Sequence, residues 1–217
     1  MDQFASLLPS GSIGPVHTNG PSDSLHLSWL PTSTLKQYTL VFPVTEDGKI
    51  CLGMKKRGFG AGRYNGFGGK VEPGETVFEA AKRELHEEAN IVATKMPHCG
   101  RIRFAFEDSP VLMDVFVYRV EAWEGDPSET EEMLPAWHTS LPPSDPSMPQ
   151  LPQIPFDDMW PDDDLWFPLF LAKKSFVGRV DFNKPPVAPE GSEGKMEDGS
   201  MRRWWFAEAP VELMQSS

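Results

Sequence analysis

The sequence predicts an α+β domain, on three observations. Two apolar runs rich in β-branched and aromatic residues, Tyr38 to Val44 and Ile50 to Met54, flank an Asp47-Gly48 hairpin signal. A capped helical pattern occupies Thr76 to Asn90. Period-two alternation then returns, with Arg101 and Arg103 set against Ile102 and Phe104.

Each element follows from local chemistry. Residues 1–35 are rich in Ser, Pro and Gly and hold neither Lys nor Arg. They lack the basic start of a signal peptide and the Arg-rich character of a transit peptide, so they read as a disordered extension before a single domain over 36–212. Pro73-Gly74 marks a loop. Thr76 and Glu79 have capping-box spacing, and Phe78, Ala81 and Leu85 form an apolar stripe. Asn90 tolerates the left-handed turn that ends a helix. Arg101 to Phe106 and Val111 to Trp123 read as paired strands. A second helix is expected from after Pro161 to Lys174, kinked at Pro168. Ser175 to Phe182 and Arg202 to Phe206 read as strands on either side of a polar loop at 184–200.

Composition sets broad bounds. Among 217 residues only Cys51 and Cys99 are cysteines, so no disulfide framework is expected and a reducing compartment is indicated: cytoplasm, with nucleus and mitochondrion also open. No apolar run is long enough to span a membrane as a helix. A net charge of −12 disfavours a nucleic-acid polymer as partner. It also repels a free phosphate ester, so a small-molecule phosphate site needs local cations. A metal ion, Lys55, Lys56 and Arg57 are the candidates. A monomer is the expected state.

The strongest chemical signal lies in the first helix. Glu84, Glu87 and Glu88 fall at i, i+3 and i+4, placing three carboxylates on one sector. By itself such a face reads first as solvated surface. A hard divalent cation would convert the repulsion into binding, since Mg²⁺ takes a few carboxylates together with substrate phosphate oxygens. Arg83 can pair with Glu79 or Glu87.

The flanking residues decide between these readings. Gly69, five residues, Glu75, seven residues, Arg83-Glu84-Leu85, one residue, Glu87-Glu88, one residue, Asn90-Ile91 resembles the Nudix box of a hydrolase family acting on nucleoside diphosphates linked to another moiety. The match departs only at Asn90, where the family has Gly. From Tyr38 to Phe182 the chain is similar to the branch of that family that destroys oxidised purine nucleoside triphosphates such as 8-oxo-dGTP. The carrying segments are Gly53 to Lys70, Leu112 to Val115, and Ile154 to Asp163 followed by Trp166-Phe167-Pro168-Leu169. Against that pattern, residues 138–153, with five prolines, look like an insertion.

The resemblance implies a mixed sheet sandwiched between helices (α/β/α) and Mg²⁺-dependent hydrolysis, with Mn²⁺ as a substitute, to a nucleoside monophosphate and pyrophosphate. It implies catalytic roles for Arg83, Glu84, Glu87 and Glu88, and metal ligation by Gly68, Glu84, Glu87, Glu88 and Glu132. For substrate it implies Thr39, Lys55, Phe59, Asn65, Phe67, Gly68, Gly69, Lys70, Phe104, Met133, Trp160, Pro161, Asp162 and Asp163. The chemistry is apt. An Asn amide both donates and accepts, a Trp face stacks a base, and one of two adjacent carboxyls is expected to keep its proton. Simple capping by Pro-Asp-Asp-Asp, plain core packing of the Phe and Met residues, and an edge-strand role for Lys55 stay open here. The base that takes the proton stays open among Glu87, Glu88 and Glu132. Two other functions also stay open: a Nudix pyrophosphatase for another nucleoside diphosphate derivative, and a non-catalytic binding module.

Overall fold

Alternation along one strand sets the layers. In β2 (Thr34–Pro43), Val41 and Phe42 are both fully buried yet belong to different cores, one on each face of the sheet. This is the computed structural model of the chain; it describes residues 16–20, 28–58, 60–140, 151–184 and 200–210. The other elements are β1 (Val16–Gly20), β3 (Lys49–Lys55), β4 (Tyr64–Asn65), α1 (Val77–Ala89), β5 (Val92–Lys95), β6 (His98–Phe106), β7 (Val111–Val120), β8 (Ala122–Glu124), β9 (Met133–Thr139), α2 (Asp163–Leu171), β10 (Phe176–Phe182) and β11 (Met201–Glu208).

A six-stranded mixed sheet runs β1-β11-β10-β6-β7-β2, with β10/β6 and β7/β2 parallel. Strands β4-β3-β9 form an antiparallel three-stranded sheet, and β5-β8 a pair. On one side Val41, Phe67 and Phe116 pack against Ala81, Leu85 and Ala89 of α1. On the other, Phe42 meets Trp166, Phe167 and Phe170 of α2 at ring separations of 5.2–5.8 Å. Helices on both faces cover the sheet, as expected for an α/β/α sandwich.

The first helix forms as its sequence dictates. Thr76 Oγ1 accepts from the Glu79 amide at 3.2 Å and Glu79 returns a bond to the Thr76 amide at 2.8 Å, completing the capping box. Asn90 ends it at φ 59°, doing what Gly does in the family pattern.

Several expectations change. The Asp47-Gly48 turn forms, but β2 and β3 meet only at Val44–Ile50 and then enter different sheets. Val111 to Trp123 is not one strand: it breaks after Val120, and β8 pairs with β5 while Trp123 stacks on Trp137 at 5.9 Å. Helix α2 stops at Leu171, before Lys174. Lys173 takes φ 56°, its N–H bonds the Phe170 carbonyl and that of Lys174 the Leu169 carbonyl, a Schellman ending. Strand β9 begins the stretch expected to be an insertion, since His138 and Thr139 pair with Ile50 and Lys49; residues 141–150 and 185–199 lie outside the described residues.

Within the 1–35 segment, expected to be disordered, the described residues 16–20 and 28–35 make defined contacts with the sheet, and the rest lies outside the described residues. Strand β1 pairs with β11, where backbone groups of a sheet edge accept any sequence. Farther on, two guanidinium groups stand over the Trp29 ring, Arg179 at 4.7 Å and Arg203 at 4.1 Å from its centre. Leu30 is held at both backbone atoms, its N–H by Asp181 and its carbonyl by Arg179 at 3.1 Å. These contacts strap the segment across the buried Arg179–Asp181 pair. Trp29→Ala is expected to cost about 1–3 kcal/mol by loss of two cation–π contacts, read as a lower urea midpoint with unchanged KM.

Candidate active site

Two glycines bring the catalytic helix against the sheet. A Cβ on Gly68 would lie 2.2 Å from the Thr39 carbonyl, and one on Gly69 would lie 2.6 Å from a Glu84 carboxylate oxygen. At Gly68, where the obstacle is backbone and φ is 147°, only glycine permits that approach; at Gly69 a side chain would displace the Glu84 carboxylate. The Thr39 amide donates to the Gly69 carbonyl at 2.8 Å, pinning the turn to β2. Around it the Gly68 amide donates to Glu88 Oε2 at 2.8 Å, and the Lys55 ammonium stands 3.5 Å from the other Glu88 oxygen. Strand β3 lies between β4 and β9, so Lys55 is not an edge-strand residue.

Arg83 organises the remaining charges. It holds Glu75 with two bonds, of 3.1 and 2.7 Å, and reaches Glu84 at 2.8 Å and Glu87 at 3.0 Å. Its partner is therefore not Glu79, which the capping box occupies. Burial raises the proton affinity of Glu84. Burial also pushes Glu88 up to about 7, against the Gly68 amide and Lys55, with Glu84 and Glu132 adding repulsion. Glu132 is bound by Arg57 at 2.9 Å.

Among the described residues no three His, Cys, Asp or Glu side chains stand together as a cation cage. The expected set of Glu84, Glu87, Glu88 and Glu132 is thus not assembled as one cluster: like charges repel, and Arg83 draws Glu84 and Glu87 while Lys55 faces Glu88 and Arg57 holds Glu132. What does converge is Glu84 and Glu88 about Gly68–Gly69. Two carboxylates whose mutual repulsion and burial both favour a cation suit Mg²⁺, which uses one or two carboxylates plus substrate phosphates. The residues fit a divalent metal.

This turn opens into a cleft of about 500 Å³ that extends from Lys55 and Glu132 to Trp160, Asp162 and Asp163. Thr39, Asn65, Gly68, Gly69, Phe104 and Met133 also line it. Asp163 Oδ2 accepts the Trp160 amide at 3.1 Å, and Asp162 Oδ2 accepts the Trp166 indole N–H at 3.2 Å. Both carboxyls are almost fully buried. Burial first, and the neighbouring Asp162 next, hold Asp163 well above the carboxylate range. Asp162 at the start of α2 makes no side-chain cap bond, so capping does not account for it.

Three expected contacts are not in the cleft. Phe67 is fully buried on the α1 side, beneath Gly53, and packs the core. Lys70 points its ammonium toward Glu72 at 3.9 Å, and Pro161 is exposed beside the site. Phe59 lies outside the described residues. Conversely Phe106, Met113, Val115 and Phe182 line the cleft unannounced. A period-two step from the expected Phe104 reaches Phe106, and the same spacing puts Met113 and Val115 on one face of β7.

A NUDIX domain model matches residues 35–170. The chain belongs to the NUDIX family. It is 45% identical over 165 residues to the oxidized purine nucleoside triphosphate hydrolase of Danio rerio, covering 76% of this chain and 98% of that protein. It is 50% identical over 150 residues to the protein of the same description from Mus musculus, covering 69% and 88%. The fold is similar to a MutT protein from Bacillus halodurans, at a TM-score of 0.51 and 21% identity over 77% of this chain and 97% of that one. Nudix hydrolases generally require a divalent metal ion.

Proposed function

We propose that this NUDIX protein hydrolyses oxidised purine nucleoside triphosphates, of the 8-oxo-dGTP and 2-hydroxy-dATP type, to monophosphate and pyrophosphate with Mg²⁺. The observation that carries this reading is that one cleft runs from Lys55, Glu132 and the Gly68–Gly69 turn, against which Glu84 and Glu88 stand, to Asn65, Trp160, Asp162 and Asp163. The relatives named for this activity add support.

At the phosphate end, Lys55 and Arg57 line the cleft and oppose the negative charge of the substrate and of the chain. Glu84 and Glu88, with the Gly68 carbonyl and Glu132 as further donors, would hold the ion. Bound there, Mg²⁺ supplies charge neutralisation for the phosphoryl oxygens and acidity for the attacking water. Arg83 fixes Glu84 and Glu87 in place, which matters because phosphoryl transfer depends on positioning and electrostatics. At the base end, Trp160 offers a stacking face, while Asp162 and Asp163, adjacent and too deeply buried to ionise together, offer one donor and one acceptor. Asn65 has its carbonyl oxygen anchored by the Gly66 amide at 2.8 Å, which fixes the amide toward the purine edge.

A steady-state panel of 8-oxo-dGTP, 2-hydroxy-dATP, dGTP and dATP with Mg²⁺, scored by pyrophosphate release, tests the reading. Preference for the oxidised members by at least about tenfold in kcat/KM is expected. Equal turnover of all four would refute it.

A further inference from the structure

The base end of the cleft is built from two distant pieces of chain, and one side chain joins them. Asn65 belongs to β4, while Trp160, Asp162 and Asp163 precede or open α2. Arg63, two residues before Asn65, lines the cleft and donates from Nη1 to the Met159 carbonyl. Its guanidinium carbon also stands 5.6 Å from the centre of the Trp160 ring. So the same group grips the backbone before Trp160 and the face of its indole.

The turn carrying Arg63 is itself shaped to the indole. Gly60 takes φ 80°, and a Cβ there would come within 3.3 Å of Trp160 Cζ2. The Arg63 amide bonds the Gly60 carbonyl at 3.1 Å, the Gly62 amide the Lys55 carbonyl at 2.7 Å, and the Lys55 amide the Arg63 carbonyl at 2.8 Å. The turn is thereby closed onto β3. Phe182 of β10 also meets the indole edge-on at 6.5 Å. Trp160 is held by a hydrogen-bonded turn and a sheet residue, with Arg63 as the charged tie.

Resting on the oxidised-purine reading, we propose that Arg63 is a specificity-determining positioning residue: it ties the β3–β4 turn to the Met159–Trp160 corner and fixes the indole plane relative to Asn65. The base is then read by two walls of fixed separation, and discrimination depends on that separation. Lysine cannot replace it, because an ammonium lacks the flat fork that serves a carbonyl and a ring together. Arg63 touches no reacting atom, so its loss acts on binding and selectivity rather than on the phosphoryl step.

The test compares wild type with Arg63→Met and Arg63→Lys, using kcat and KM for 8-oxo-dGTP and dGTP and calorimetric binding of 8-oxo-dGMP to chelator-treated protein. Arg63→Met is expected to raise KM for 8-oxo-dGTP, weaken 8-oxo-dGMP binding and shrink the 8-oxo-dGTP to dGTP preference, each about tenfold, with kcat within about threefold. Arg63→Lys, which keeps length and charge and guards against misfolding, is expected to recover less than half of the lost preference. A wild-type preference that both variants retain would overturn the Arg63 inference alone. A wild type with no preference would overturn the oxidised-purine reading itself.

Discussion

Glu88→Gln is expected to lower kcat by about 10³-fold while making the metal-free protein more stable at neutral pH. The loss follows from removing one of the two carboxylates that converge on the Gly68–Gly69 turn. The gain follows from burial. Glu88 is 3% exposed and burial pushes its carboxyl up to about 7, against about 4.5 for the ordinary group. Between those values the folded chain holds a proton that the unfolded chain has lost. Stability from this group is therefore present below about pH 4.5 and is lost as pH rises through 7. The full cost of burying the charge is about 3 kcal/mol. Glutamine keeps an acceptor for the Gly68 amide and has no charge to bury. Urea denaturation in chelator should therefore show little difference at pH 4.5 and a gain approaching that figure at pH 8. Added Mg²⁺ should then stabilise wild type more than the variant. Near-normal turnover would remove Glu88 from the metal site, and a pH-independent difference would remove burial as the cause.

The same tension explains what the sequence made legible. Interactions fixed within a few residues could be read directly: the Thr76–Glu79 box, the left-handed Asn90 and the spacing of Glu84, Glu87 and Glu88 all form as patterned. Partners set by tertiary packing could not. Arg83 spacing admitted Glu79 or Glu87, but its bidentate hold on Glu75 comes from the loop folding back over eight positions. Phe67 looks like a neighbour of Asn65 in sequence, yet it lies beyond the end of β4, where its backbone bridges to Val41 and its ring enters the α1-side core. Strand β9 was hidden because Pro135 interrupts it, and Met133 and Glu132 reached the cleft only once β9 paired with β3. The strap at Trp29 was hidden for a different reason: its binding energy lies in Arg179, Arg203 and Asp181, far along the chain in β10 and β11.

The second large effect concerns Asp163. Asp163→Asn is expected to change the ratio of kcat/KM for 8-oxo-dGTP over 2-hydroxy-dATP by about 10²-fold, because a site built to hydrogen-bond a substrate rejects a mismatched donor set strongly. Asp162 and Asp163 are adjacent and buried, so both cannot readily ionise. On the proposed oxidised-purine function, one proton shared between them would let the pair present donor and acceptor in either order, which suits purines with different edges. Asparagine keeps an oxygen for the Trp160 amide but fixes the order of donor and acceptor. One oxidised purine is then served and the other refused. The pH dependence carries the same signature. Burial and Asp162 raise Asp163, so its donating form persists above the ordinary carboxylate range and is lost as pH rises through the folded value. In wild type kcat/KM for a substrate that needs this donor should fall on that alkaline limb. In Asp163→Asn the limb should vanish, since the amide does not titrate. Profiles that superimpose, with an unchanged substrate ratio, would show that the pair packs the start of α2 without reading the base.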